Sequence, residues 1–191
     1  LLPWAIQNPV ALVLDEYDAG RPDVMFVIQR ILEAEGKLTL LDQNKVITPH
    51  PFFRIFGTCN TIGSGDNSGL YSGTQNLNQG QLDRWNIFTT LNFIKPEIEK
   101  KIIEGKLGKN KTKISRMLPQ MIKLANLIRD AFSSSDLSVT MSPRTSILWA
   151  ENFLIFGELD HAFKLTFLNK CDENDKKIVR ELYQRCFGKE I

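Results

Sequence analysis

A run of five apolar residues, Val10-Ala-Leu-Val-Leu14, stops abruptly at Asp15-Glu16. Continuous apolar character over so short a run predicts a strand buried on both faces, as in a parallel sheet covered by helices. Arg21-Pro22-Asp23 then opens a helix, with Pro suited to its first turn. Val24, Val27, Ile28, Ile31 and Leu32 are its expected core face, and Gly36 ends it. Leu38–Leu41 and Val46–Thr48 flank Asp42-Gln43-Asn44-Lys45 and predict a β-hairpin. Phe52 to Cys59 is a second apolar strand that ends at Asn60. Residues 62–80 are rich in Gly, Ser, Asn and Gln and predict a long loop, a feature more often functional than idle. Gln81–Trp85 follows, then a third expected strand, Ile87–Phe93.

Past Lys95-Pro96 the period becomes helical. Helices are expected over Pro96–Leu107 and Ile114–Phe132, the latter with Met117, Met121, Leu124 and Ile128 on one face. Ser142-Pro143 reads as an N-cap with Pro at the first helical position of a helix running to about Gly157. Two further helices are expected near Leu159–Asn169 and Glu173–Phe187, with Asp172, Glu173 and Asp175 placing acids at the last one's N-terminus. The fold class is therefore α/β. An incomplete α/β part (1–93) precedes an all-helical part (94–191).

Composition narrows the chemistry. The 191 residues carry a net charge of +2, too little to argue for nucleic acid or an anionic membrane. No apolar run approaches the roughly 18–20 residues that span a bilayer. The three cysteines show no CxxC spacing, so neither a disulfide framework nor a zinc site is indicated, and Cys59 reads as a small buried hydrophobe. Reduced, cytoplasmic conditions fit this usage. Trp4, Trp85 and Trp149 read as packing anchors. The first residue is Leu1, and the chain reads as part of a longer protein.

Four features carry chemistry. A buried strand ending in Asp15-Glu16 has the form of a Walker B segment, because open parallel sheets bind ligands at the carboxyl ends of their strands. Asp15 would hold Mg2+, largely through water, and Glu16 would orient the attacking water. Two solvated acids at the end of a core strand are an equally good reading of that segment alone. Asn60, closing the second strand, can donate to a γ-phosphate oxygen and accept from water, the sensor-1 pattern; a turn-forming Asn is the plainer reading. Arg84 in Gln81-Leu-Asp-Arg-Trp85 fits an arginine finger reaching a neighbouring subunit's nucleotide, or else an Asp–Arg surface pair. Arg144 sits in the first turn of a helix, where the dipole disfavours a cation, and a sensor-2 contact to the γ-phosphate would explain it; a solvent-facing Arg is a credible reading of that residue alone. Their order, strand-Asp-Glu, strand-Asn, Leu-Asp-Arg, then Ser-x-Arg opening a helix, is the order of an AAA+ ATPase.

Longer motifs are more specific. Leu14-Asp-Glu-Tyr-Asp-Ala-Gly-Arg-Pro-Asp-Val-Met-Phe-Val-Ile-Gln-Arg30, Gly57-Thr-Cys-Asn-Thr-Ile-Gly-Ser-Gly-Asp66, Gly69-Leu-Tyr-Ser-Gly-Thr-Gln75 and Gln81-Leu-Asp-Arg-Trp85 resemble the ATPase subunits of aerobic cobaltochelatase. These are ring-forming AAA+ proteins of the MoxR and magnesium-chelatase type. The resemblance implies a partial P-loop-type core followed by a helical lid. It implies ATP and Mg2+ as ligands, with Asp15 and Glu16 as Walker B, Asn60 as sensor 1, Arg84 as the finger and Arg144 as sensor 2. It implies insertion of Co2+ into hydrogenobyrinic acid a,c-diamide. It also implies a homo-oligomeric ring, hexameric in the family, that works with an integrin-I-like subunit and a large corrinoid- and cobalt-binding subunit. The hairpin matches the pre-sensor-1 hairpin, and the 62–80 loop is expected to face the pore or a partner. A MoxR-type chaperone that matures another metalloenzyme would share the same ATP site. One departure stands out: no G-x-x-x-x-G-K-S/T occurs in the chain. In the family, the strand bearing that loop lies between the sensor-1 strand and the last strand. These residues alone are accordingly expected to bind ATP weakly and not to hydrolyse it.

Overall fold

The computed structural model describes residues 1–61 and 73–191. Most of the expected 62–80 loop, including its glycine-rich part, lies outside the described residues. The chain forms two compact units, Leu1–Thr90 and Leu91–Ile191.

In the first unit, α1 (Leu2–Ile6) leads into β1 (Ala11–Leu14), α2 (Pro22–Ile31), the strands β2 (Leu38–Leu40) and β3 (Lys45–Ile47), β4 (Arg54–Gly57) and the short α3 (Gln79–Leu82). β1 and β4 pair in parallel, with Ala11 opposite Arg54 and Leu14 opposite Gly57. The ladder opens with the Arg54 N–H on the Val10 carbonyl (3.0 Å) and closes with the Thr58 N–H on the Leu14 carbonyl (3.0 Å). A parallel pair needs a crossover of a dozen or more residues, and α2 with the hairpin supplies it. The hairpin pairs Leu38 with Ile47 and Leu40 with Lys45, and Asn44 turns it in a left-handed conformation (φ 44°), which Asn tolerates better than most residues. Ala5, Ile6, Tyr17, Met25, Ile28, Ile31, Leu38, Ile47 and Phe53 form the core of this unit.

The second unit is all helix: α4 (Pro96–Leu107), α5 (Lys111–Ile114), α6 (Leu118–Ser133), α7 (Pro143–Phe156), α8 (Leu159–Thr166) and α9 (Glu173–Phe187). Its ends carry the expected signals. Ser142 accepts from the Thr145 N–H at the start of α7. Asp172 accepts from the N–H groups of Asn174 and Asp175 at the start of α9. Gly157 and Gly188 close α7 and α9 at φ of 77° and 70°, where a Cβ would be strained. Trp149, Phe163, Phe167 and Tyr183 build an aromatic centre, joined by Met121, Leu124 and Ile128 from α6. No helix among the described residues is long and apolar enough to cross a membrane.

Six expectations need correction. The Ile87–Phe93 run forms no strand: no described strand pairs with it, and Ile87 and Leu91 are 84% and 91% exposed. A strand exists only through a partner's backbone groups, so apolar sequence alone does not make one. β1 is buried on one face only; Leu12 and Leu14 turn inward, while Val13, like Phe56 of β4, stands on an open face. In α2 the expected Ile28, Ile31 and Leu32 do face the core, but Met25 joins them in place of Val24 and Val27, which stand exposed because the inward stripe is turned by part of one helical step. The Ile114–Phe132 helix is interrupted between Ile114 and Leu118, because Pro119 is tolerated only in a first turn. Cys59 is exposed, since it lies past the end of β4 and not within it. Of the tryptophans, Trp149 is fully buried and Trp85 packs against the β4 tip, whereas Trp4 is exposed.

Candidate functional site

Parallel pairing sets the carboxyl ends of β1 and β4 side by side, so Asp15-Glu16 and Thr58-Cys59-Asn60 leave the sheet at one edge. Thr58 links the two tips. Its hydroxyl donates to Oδ1 of Asp15 and accepts from the Glu16 N–H at 3.0 Å, while its carbonyl accepts from the Tyr17 N–H at 2.8 Å. Glu16 takes a left-handed backbone conformation (φ 54°, ψ 46°). For a residue with a Cβ this costs about 1–2 kcal/mol, and the Thr58 bonds on either side of its peptide hold it there. Both acids are exposed. Among the described residues, Oδ2 of Asp15 and the carboxylate of Glu16 accept no hydrogen bond, so both are open to a ligand.

Asp18, two residues past Glu16, is fully buried. Its Oδ2 accepts from the Asn60 N–H (3.1 Å), the Thr61 N–H (2.8 Å) and the Thr61 hydroxyl (2.8 Å). Its Oδ1 is buried without a partner among the described residues. Its carbonyl accepts from the Gln75 N–H at 2.7 Å. One residue therefore fastens both the Asn60 end and the far end of the segment between them. Beside it, the Cys59 thiol is pushed up, first by the protein packed around the sulfur and then by the Asp18 charge.

Arg84 follows α3, whose start is a reciprocal cap: Asn78 accepts from the Gly80 N–H, and Gln81 accepts from the Asn78 N–H. Its guanidinium donates to the Gly80 carbonyl and pairs with Glu33 at 3.4 Å, both side chains about one-third exposed. Trp85 anchors this segment to the strand tips. Its ring meets Tyr17 edge-on with centroids 5.2 Å apart, and a Cβ on Gly57 would stand 3.2 Å from it. A side chain there would push the ring back by a few tenths of an ångström. Arg144 belongs to the second unit, exposed in the first turn of α7.

The structure thus brings Asp15, Glu16 and Asn60 together and seats Arg84 in the same unit. Thr58 and Asp18 are the residues that sequence reasoning missed. Thr58 could have been found as a hydroxyl two residues before Asn60, level with Asp15 if the strands pair in register. Asp18 had no such signal beyond an acid within a helical turn of two others. One oxygen of Asp15 and the Glu16 carboxylate are the donors this edge offers a cation. Among the described residues no group of three or more His, Cys, Asp or Glu could hold a metal unaided, and Mg2+ is ordinarily held by one or two carboxylates with substrate phosphates and waters.

No family model matches the chain. It is similar to the aerobic cobaltochelatase subunit CobS of Sinorhizobium sp, with 57% identity over 192 aligned positions. The alignment covers 100% of this chain but 58% of the relative, so the chain spans less than two-thirds of that protein's length. That similarity extends over the whole of this chain, strand tips and helical unit alike.

Proposed function

We propose that these residues are the water-orienting and phosphate-sensing part of an ATPase motor subunit of cobaltochelatase. The motor drives insertion of Co2+ into hydrogenobyrinic acid a,c-diamide on the aerobic route to cobalamin. The observation that carries this reading is the parallel β1–β4 register, which sets Asp15-Glu16 and Asn60 at one edge with Thr58 between them.

Mg2+, when bound, neutralises charge on the phosphates. Asp15 would hold it through Oδ2, its other oxygen being fixed by Thr58. Glu16, exposed and turned by its left-handed backbone, orients the water that attacks the γ-phosphorus and accepts its proton. Asn60, its backbone held by Asp18, donates its amide to a γ-phosphate oxygen. Arg84 meets the charge developing on the nucleotide of the next protomer in a closed head-to-tail ring. It must exchange Glu33 for phosphate to do so, which makes finger engagement reversible. Arg144 takes the sensor-2 role that the resemblance implies, with the γ-phosphate as its partner. The phosphate cradle must come from outside these residues, because they contain no G-x-x-x-x-G-K-S/T. The integrin-I-like and corrinoid-binding subunits are the partners this role requires. Identity to a cobaltochelatase subunit favours a chelatase over a MoxR-type chaperone with the same site.

The test is ATP hydrolysis and cobalt insertion by the full-length protein in the reconstituted chelatase. Glu16→Gln should lower hydrolysis by about 10²-fold or more, keep ATP binding and stop cobalt insertion. Hydrolysis at the wild-type rate would refute the assignment.

A further inference from the structure

Arg129 of α6 is buried in a dense set of polar contacts, and the roles above leave it unused. Its guanidinium is 3% exposed and faces Glu99 of α4, itself 1% exposed, through two bonds of 2.7 Å. Nη1 also donates to Asn126 at 2.9 Å, and Nε donates to the Met141 carbonyl at 2.7 Å. The Phe93 ring covers it, with the guanidinium carbon 4.7 Å from the ring centroid. A buried ion pair is seldom retained for stability alone, since removing two charges from water offsets most of their attraction. What it holds in place is then the informative question.

It holds two backbone segments at once. One is the stretch 91–95 that leads into α4, through Phe93. The other is the turn before α7, through the Met141 carbonyl. From Met141 to Arg144 the path is short and stiff: Ser142 caps the helix, Pro143 fixes its own φ, and Arg144 is next. The same connection is pinned again upstream, where the Ser138 N–H and hydroxyl donate to Asp175.

We infer that Arg129, oriented by Glu99, is a positioning residue that sets where Arg144 stands, and so tunes phosphoryl transfer without touching the nucleotide. The inference rests on the proposed contact between Arg144 and the γ-phosphate. A planar five-donor fork suits the task, because only such a group can serve a carboxylate, an amide and a carbonyl together while stacking on a ring.

The test is a double-mutant cycle on the full-length protein, read as kcat and KM for ATP. Arg129→Lys keeps the charge but loses the fork. It should lower kcat about 10-fold, in keeping with the rate cost of a small misplacement, with little change in KM. Arg144→Ala should lower kcat by itself, and adding Arg129→Lys to it should cause no further loss. Losses that multiply would overturn the positioning role while leaving the Arg144 assignment intact. An Arg144→Ala protein of wild-type rate would overturn both. Because Arg129→Lys can also loosen the helical unit, the apolar replacement Glu99→Leu with Arg129→Met serves as a second variant. An unchanged unfolding midpoint with reduced kcat is expected. An unchanged midpoint with wild-type kcat would contradict the inference.

Discussion

The hydroxyl of Thr58 donates to the carboxylate of Asp15, joining the ends of two parallel strands across 43 positions of sequence. The same oxygen receives the Glu16 N–H, so one side chain orders both acids. Thr58→Val removes the donor and acceptor but keeps the β-branched shape. The expected outcome is about a 10-fold loss of ATP hydrolysis by the full-length protein, comparable to one hydrogen bond of about 1.5 kcal/mol. The unfolding midpoint should be little changed, and Thr58→Ser should restore most of the rate. Equal rates for Val and Thr would show that Asp15 and Glu16 need no such support.

Asp18 is tested through its neighbour Cys59. The buried carboxylate raises the Cys59 thiol, so a neutral residue at position 18 should let the thiolate form at lower pH. In Asp18→Asn, the pH profile of Cys59 alkylation, read by peptide mapping, should move down toward the ordinary thiol value of about 8.5. Hydrolysis should fall together with that change, because the Asn60 and Thr61 N–H groups lose their carboxylate acceptor. An unmoved profile would place the Asp18 charge elsewhere.

Acid should loosen the helical unit through Asp160. Burial opposes the charge of this carboxylate, but the hydrogen bonds from Lys189 (2.6 Å) and Tyr183 outweigh it and hold the group below its usual range. A depressed folded-state value means that the unfolded chain binds the proton more readily. The contribution is therefore complete above about pH 4, the unfolded carboxyl's value, and is lost as pH falls through the folded one. Asp160→Asn should flatten the acid limb of thermal stability and leave neutral pH less stable. An acid limb identical to wild type would remove Asp160 from the account.

The parts legible in sequence were those governed by local rules. The Ser142 and Asp172 caps, the hairpin at Asn44 and the strand ending in Asp15-Glu16 each follow from one residue's chemistry and its immediate neighbours. The rest depended on partners. Ile87–Phe93 has strand composition, but no described strand pairs with it. Val24 and Met25 differ by one helical step, and only the position of the sheet decides which is buried. Thr58, Asp18 and Arg129 act through residues 30 or more positions away, and neither spacing nor periodicity encodes such contacts.

The central claim is that the β1 and β4 tips receive the metal of a bound nucleotide. Fe2+ substituted for Mg2+ with ATP, in the full-length protein, reacts with added hydrogen peroxide and ascorbate to form oxidants that cut backbone close to the metal, and the cut positions can be read by mass spectrometry. The account predicts ATP-dependent cleavage within 14–17 and 57–60, abolished by Asp15→Asn. Cleavage confined to other segments, or unaffected by that substitution, would contradict it.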